Sequence, residues 1–146
     1  MNEIERGFID KFPPALQNAL IKKGLRFPDN LEKEYNDVIV YRGVRYNNNK
    51  KNIELSDFQS NVERHLLNPS VYVDDNDIEY YGCSVYENMD LMKKYAKFPR
   101  KNWAVSKGII KSSFGPIVRN GETSHINLFL FKDVDPSSNF KVVDQL

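Results

Sequence analysis

His125-Ile126-Asn127-Leu128-Phe129-Leu130-Phe131 is the most hydrophobic strand-like run of the chain, and it constrains the fold more than any other segment. Strand alternation sends Ile126, Leu128 and Leu130 to one side, and His125, Asn127, Phe129 and Phe131 to the other. The second set carries His and Asn at one end and two Phe at the other, the pattern of a cleft floor grading into core. The alternative is an edge position with His125 and Asn127 in water. Upstream, Asn120-Gly121 lies between two apolar segments, which predicts a β-hairpin over 117–131 with a tight turn at that pair.

Other segments add to this frame. Ile4, Phe8, Ile9 and Phe12 recur at helical spacing until Pro13-Pro14. Pro14 opens a second helix, Ala15 to Lys23, closed by Gly24. Val38 to Tyr41 predicts the first strand, and Tyr46 to Asn52 an exposed polar loop. Ser56 and Gln59 have capping-box spacing for a helix ending near Leu67. Tyr80 to Tyr86 predicts a strand, and Asn88 or Asp90 a cap for a helix ending before Pro99. Trp103 to Ile110 is β-like, and Phe140 to Val143 is a last short strand. Helices first and strands joined by hairpins later give an α+β class: N-terminal helices packed on a mostly antiparallel, strand-rich C-terminal half.

The chain has 146 residues, 40% of them hydrophobic, which suits one domain over 1–146. No apolar run approaches the ~18 residues of a membrane span. The N-terminus lacks the basic-then-apolar order of a signal peptide. Cys83 is the single cysteine, so no internal disulfide can form, and the expected compartment is cytoplasmic, that of the producing cell or of a host.

A net charge of +1 conceals an asymmetry. His65 to Met92 holds Asp74, Asp75, Asp77, Glu79, Glu87 and Asp90 without a Lys or Arg. Leu91 to Gly121 holds eight basic residues and no acidic one. The two segments either neutralise each other on a common surface or present local fields to a partner. The basic stretch interleaves Tyr95, Phe98, Trp103 and Phe114, as a nucleic-acid face would, although the same spacings serve a core.

Catalytic motifs are sparse. Two histidines and one cysteine lie far apart, so no metal site is expected. Cys83 reads as a buried thiol, and Gly82-Cys83-Ser84-Val85-Tyr86 is only half a nucleophile elbow. Arg42 leaves its strand beside Gly43, which suits an anion: the guanidinium forks onto phosphate or carboxylate, and glycine admits the ligand to the backbone. His125 is the candidate for acid–base work near neutral pH.

Val40-Tyr41-Arg42-Gly43, then Cys83-Ser84-Val85 followed by a helical segment, then the strand from His125 and the closing Phe140-Lys141-Val142, resemble in order the ADP-ribosyltransferase fold of the arginine–serine–glutamate type. The resemblance covers roughly residues 37 to 143. It implies a nucleotide site with NAD as cofactor, Arg42 on phosphate or ribose, and Ser84 ordering Arg42 through a hydrogen bond. The family's glutamate belongs at the start of the late strand, where this chain has His125-Ile126-Asn127. Glu122 is the nearest carboxylate, so Glu122 or His125 would act on the ribose. The expectation is an ADP-ribosyltransferase-like domain binding a nucleotide or other anionic small molecule around Arg42, Gly43, Ser84 and Asn127, in a toxin or defence setting. The rivals are a nucleic-acid-binding protein or small nuclease using the 93–119 face, and a non-enzymatic interaction or inhibitor protein.

Overall fold

Asn2 opens the chain's first helix by accepting a hydrogen bond from the Glu5 amide, so α1 runs Glu3–Ile9 in the computed structural model, which describes residues 2–70 and 72–145. Pro14 begins α2, Pro14–Ile21, and Gly24 follows it at φ +68°. Both helices serve one aromatic cluster. Phe12, Leu16 and Ala19 are buried there with Phe129, and Phe8, Phe27 and Phe131 pack around them. Phe27 meets Phe129 edge-on with ring centroids 4.8 Å apart, and Phe12 lies 5.2 Å from Phe131.

The remaining regular elements are β1 (Val38–Arg45), α3 (Asn61–Leu67), β2 (Cys83–Tyr86), α4 (Met89–Tyr95), β3 (Trp103–Ile110), β4 (Ile117–Asn120), β5 (His125–Leu128) and β6 (Phe140–Gln145). The strands form one sheet in the order β4-β5-β2-β1-β3-β6, and every pairing is antiparallel. The fold is therefore α+β, with the helices early and the strands dense in the C-terminal half. A second core of Val38, Val40, Phe58, Cys83, Val85, Ile110, Ile117, Ile126, Leu128 and Phe140 lines one face of the sheet. Ile126 and Leu128 join this core while Phe129 and Phe131 join the aromatic one, so the alternation along this segment divides as the sequence predicts.

Four local expectations are corrected. The hairpin at 117–131 forms, with Asn120 paired to His125, but its turn is not a two-residue one at Asn120-Gly121. Residues 121–124 make a four-residue tip. The Asn120 side chain accepts from the amides of Glu122 and Thr123, and Ser124, not glycine, takes the positive φ of 60°. The regular ladder also stops at Leu128: the Phe129 and Phe131 amides donate to Pro116 and Phe114 carbonyls in the preceding turn, where Pro116 has no amide to return.

The middle helix starts later than Ser56. Leu55–Phe58 forms a 3₁₀ turn that buries Phe58. Ser60 and Glu63 supply the reciprocal capping box for α3, at 3.1 and 3.2 Å. Ser60-x-x-Glu63 has the same spacing as Ser56-x-x-Gln59, and the carboxylate is the stronger acceptor. Tyr80 to Tyr86 divides likewise: Ile78–Tyr81 is a 3₁₀ turn, and only Cys83–Tyr86 is strand. Asn88 caps α4 by accepting from Leu91.

Candidate functional site

The centre of the sheet has a seam. β1 pairs with β3 along its whole length, from Val38 to Arg45, but with β2 only at Tyr41 opposite Tyr86. Arg42 closes the gap. Its Nε donates to the Asp57 carbonyl at 2.7 Å and its Nη1 to the Ser84 carbonyl at 2.5 Å, where the ladder bonds of the seam are missing. The half-buried guanidinium lies 5.9 Å from the centre of the Phe58 ring, and the Arg42 carbonyl accepts from Ser106 Oγ at 2.8 Å. Arg42 thus joins β1, β2 and the 3₁₀ turn before α3. Ser84 does order Arg42, but through its main chain.

A cleft of about 750 Å³ opens at this seam. Its lining includes Arg42, Arg45, Lys50, Arg64 and Arg100, against only Glu54 and Asp57 of opposite sign. Asp57 is already engaged, accepting from Lys50 Nζ at 2.7 Å and from the Glu54 amide at 2.9 Å. Lys50 Nζ also holds the Arg45 and Asn52 carbonyls, so the 46–52 loop is clipped to the cleft wall rather than loose in solvent. Arg42, Arg45, Arg64 and Arg100 form no ion pair among the described residues. Arg64 comes from α3; its Nη2 donates to Asn61 Oδ1, and its buried Nε has no hydrogen-bond partner among the described residues. Burial lowers the pKa of Arg64, and the nearby Arg42 and Arg100 cations lower it further. Flat rings complete the wall. Trp103 carries the Arg100 and Arg45 guanidiniums 4.4 and 5.5 Å from its ring centre. Gly43 lies in the floor, but the space above it is filled: a Cβ there would stand 3.0 Å from the Phe98 ring. Gly43 therefore admits Phe98 rather than a ligand.

Ser84 Oγ and His125 Nε2 share a hydrogen bond at 2.9 Å. The register pairs Ser84 with Asn127 and Tyr86 with His125, which puts all four on one face. Tyr86 meets the imidazole edge-on at 5.2 Å and lies parallel to Tyr95 at 6.4 Å. Burial depresses the His125 pKa. Ser84 faces the arginine cleft, whereas His125, Asn127 and Glu122 line a neighbouring groove of about 810 Å³. Tyr86 borders both. Arg42, Ser84 and His125 are thus linked through Ser84 across two adjoining depressions. Glu122 stands exposed at the hairpin tip. Asn127 is buried: its Nδ2 donates to the Glu79 carbonyl at 3.1 Å, and its Oδ1 packs where a Cβ on Gly82 would be, 1.9 Å away. Asn127 anchors the turn before β2.

Arg64 was not a candidate from the sequence. The signal for it was the Ser60–Glu63 capping box, which places Arg64 one residue past N3 of α3. Arg100 lay within the basic stretch, but that stretch does not form one face. Lys93 pairs with Asp144, Lys111 with Asp37, and Arg119 with Glu32 and Glu87. Arg119 to Glu87 is the one ion pair among the described residues that joins the basic segment to the acidic one. Among the described residues no three His, Cys, Asp or Glu side chains gather to hold a metal, and no helix is long and apolar enough to cross a membrane. Comparison with known proteins gives no match: no family model, no curated protein and no solved structure corresponds to the chain.

Proposed function

We propose that the cleft binds a nucleotide or another phosphate-bearing ligand, in a domain of ADP-ribosyltransferase-like type. The observation that carries the reading is the uncompensated charge of Arg42, Arg64 and Arg100 around one concavity, with a buried guanidinium nitrogen lacking an acceptor. Guanidinium groups crowded together and not paired with a carboxylate are strained unless an anion enters, and phosphate oxygens suit their planar donors. Trp103, Phe98 and Tyr86 add aromatic surface to the wall beside the arginines, against which a base could pack.

The order of parts supports the family likeness. Arg42-Gly43 lies in β1, Ser84 in β2 followed by α4, and His125 heads β5, with β6 at the sheet edge. In this reading Arg64 and Arg100 hold phosphate, Arg42 sets the seam and offers its remaining nitrogen, and His125 acts on the ribose, with Glu122 the carboxylate at the rim of the same groove. NAD is the first nucleotide to test. Calorimetric titration should show NAD binding that weakens at least ~10-fold in Arg100→Gln, the loss of one charge-assisted contact. Slow nicotinamide release that stops in His125→Ala would support transfer chemistry; binding without release would leave a nucleotide-binding domain. Failure of NAD, ADP-ribose and pyrophosphate alike to bind would remove the proposal. Salt-steep binding to single-stranded RNA in its place would favour the nucleic-acid reading.

A further inference from the structure

We propose that Ser84 is a nucleophile, with His125 as its general base, toward a phosphoryl ester or anhydride held in the arginine cleft. The pair has the geometry such catalysis needs. Ser84 is exposed and is one of the residues that line the cationic cleft, and its Oγ stands 2.9 Å from His125 Nε2 on the adjacent strand. Both residues sit in interior strands of the sheet, β2 and β5, so the distance is set by backbone pairing rather than by loop conformation. The Ser84 main chain is fixed a second time by Arg42 Nη1. His125 is half-buried against the Tyr86 ring, and burial keeps its imidazole neutral and able to accept a proton near pH 7. A hydroxyl bonded to a neutral imidazole beside uncompensated guanidiniums is more than sheet cohesion requires.

In the step, a new bond forms from Ser84 Oγ to phosphorus while the bond from phosphorus to the leaving oxygen breaks. The Ser84 proton passes to His125 Nε2, and the imidazolium returns it to the departing alkoxide or phosphate. Water then attacks phosphorus, giving its proton to His125, the bond from phosphorus to Ser84 Oγ breaks, and the imidazolium returns the proton to Oγ. The inference shares with the preceding reading only that a phosphoryl group enters the cleft; it does not need NAD.

A neutral probe separates the two. With diisopropyl fluorophosphate, Ser84 Oγ bonds to phosphorus, the P–F bond breaks, fluoride leaves and His125 takes the proton. Peptide mass spectrometry should find the diisopropylphosphoryl group on Ser84 of the full chain and not on the exposed Ser113. Labelling should vanish when the wild type is unfolded in urea, and slow at least ~100-fold in His125→Asn, the usual contribution of a general base. Free imidazole should restore part of the rate in His125→Ala. Labelling of Ser84 no faster than of Ser113 in the folded wild type would overturn the proposal whatever the variants do. Labelling unchanged in a folded His125→Asn would overturn the role of the base.

Discussion

Arg42 and Arg64 lie in one cleft but contribute to the protein in opposite senses. Arg42 satisfies two main-chain carbonyls across the seam. Its loss should cost roughly 2 kcal/mol, since hydrogen bonds from a charged donor contribute about 1.5–3 kcal/mol each but water can reach the Ser84 carbonyl once the guanidinium is gone. Arg42→Ala should therefore melt well below the wild type, and Arg42→Lys, which cannot fork, should recover little of the difference. Arg64 has a buried nitrogen without an acceptor and two neighbouring cations. Arg64→Gln should raise the melting temperature of the ligand-free protein while weakening anion binding, the trade expected where a site is kept destabilised for function. Equal destabilisation in Arg42→Ala and Arg64→Gln would show that both are merely structural. His125 gives a pH signature. Its folded-state pKa lies below the ordinary 6.5, so the unfolded chain binds more protons between the two values. Its contribution is complete above 6.5 and is lost as pH falls through the folded value. Melting temperature should drop from pH 7 toward pH 5, and His125→Gln should flatten that part of the curve.

At the scale of elements, the hairpin tip separates local from tertiary causes. Asn120 accepts from two amides, so Asn120→Ala should cost about 1 kcal/mol by leaving both unsatisfied. Ser124→Gly should instead change stability by less than ~1 kcal/mol, because relief of a serine held at a φ of 60° is offset by loss of the bond its Oγ accepts from the Asn88 amide at 3.2 Å. Denaturant titration of the two variants would show it, and a stabilised Asn120→Ala would contradict the assignment. The same hairpin shows what was legible beforehand. The two-faced division of 125–131, the hairpin and the Asn88 cap follow from period and turn chemistry within one segment. The extent of each element did not. Ser56-x-x-Gln59 and Ser60-x-x-Glu63 have equal spacing, and burial of Phe58 beside Phe140 selects the second. Gly43 carried the signal of a ligand contact, but the ring that fills its space arrives from Phe98, far along the chain. Arg42, Arg64 and Arg100 lie on β1, on α3 and after α4, so only the folded sheet reveals the charge they concentrate.

At the scale of the molecule, the larger apolar core spans β1 and β2 on one face, while main-chain contact across the β1–β2 seam is left to a single residue pair and one arginine. That is where the cleft opens, and why a residue that binds anions elsewhere here also holds the fold together. Near-zero net charge does not conflict with a cationic site, because Lys93, Lys111 and Arg119 are matched by carboxylates on other elements while the cleft arginines are not. In our proposal this unmatched charge awaits a phosphate-bearing ligand. This is tested most directly by thermal melting of the full chain with inorganic pyrophosphate, ADP-ribose and NAD, at two salt concentrations, for the wild type and for Arg64→Gln/Arg100→Gln. A ligand at one hundred times its dissociation constant stabilises by about 2.7 kcal/mol. The wild type should show a saturable rise in melting temperature, smaller at high salt and absent in the double variant; no rise with any of the three, or an equal rise in the double variant, would rule out a phosphate site in the cleft.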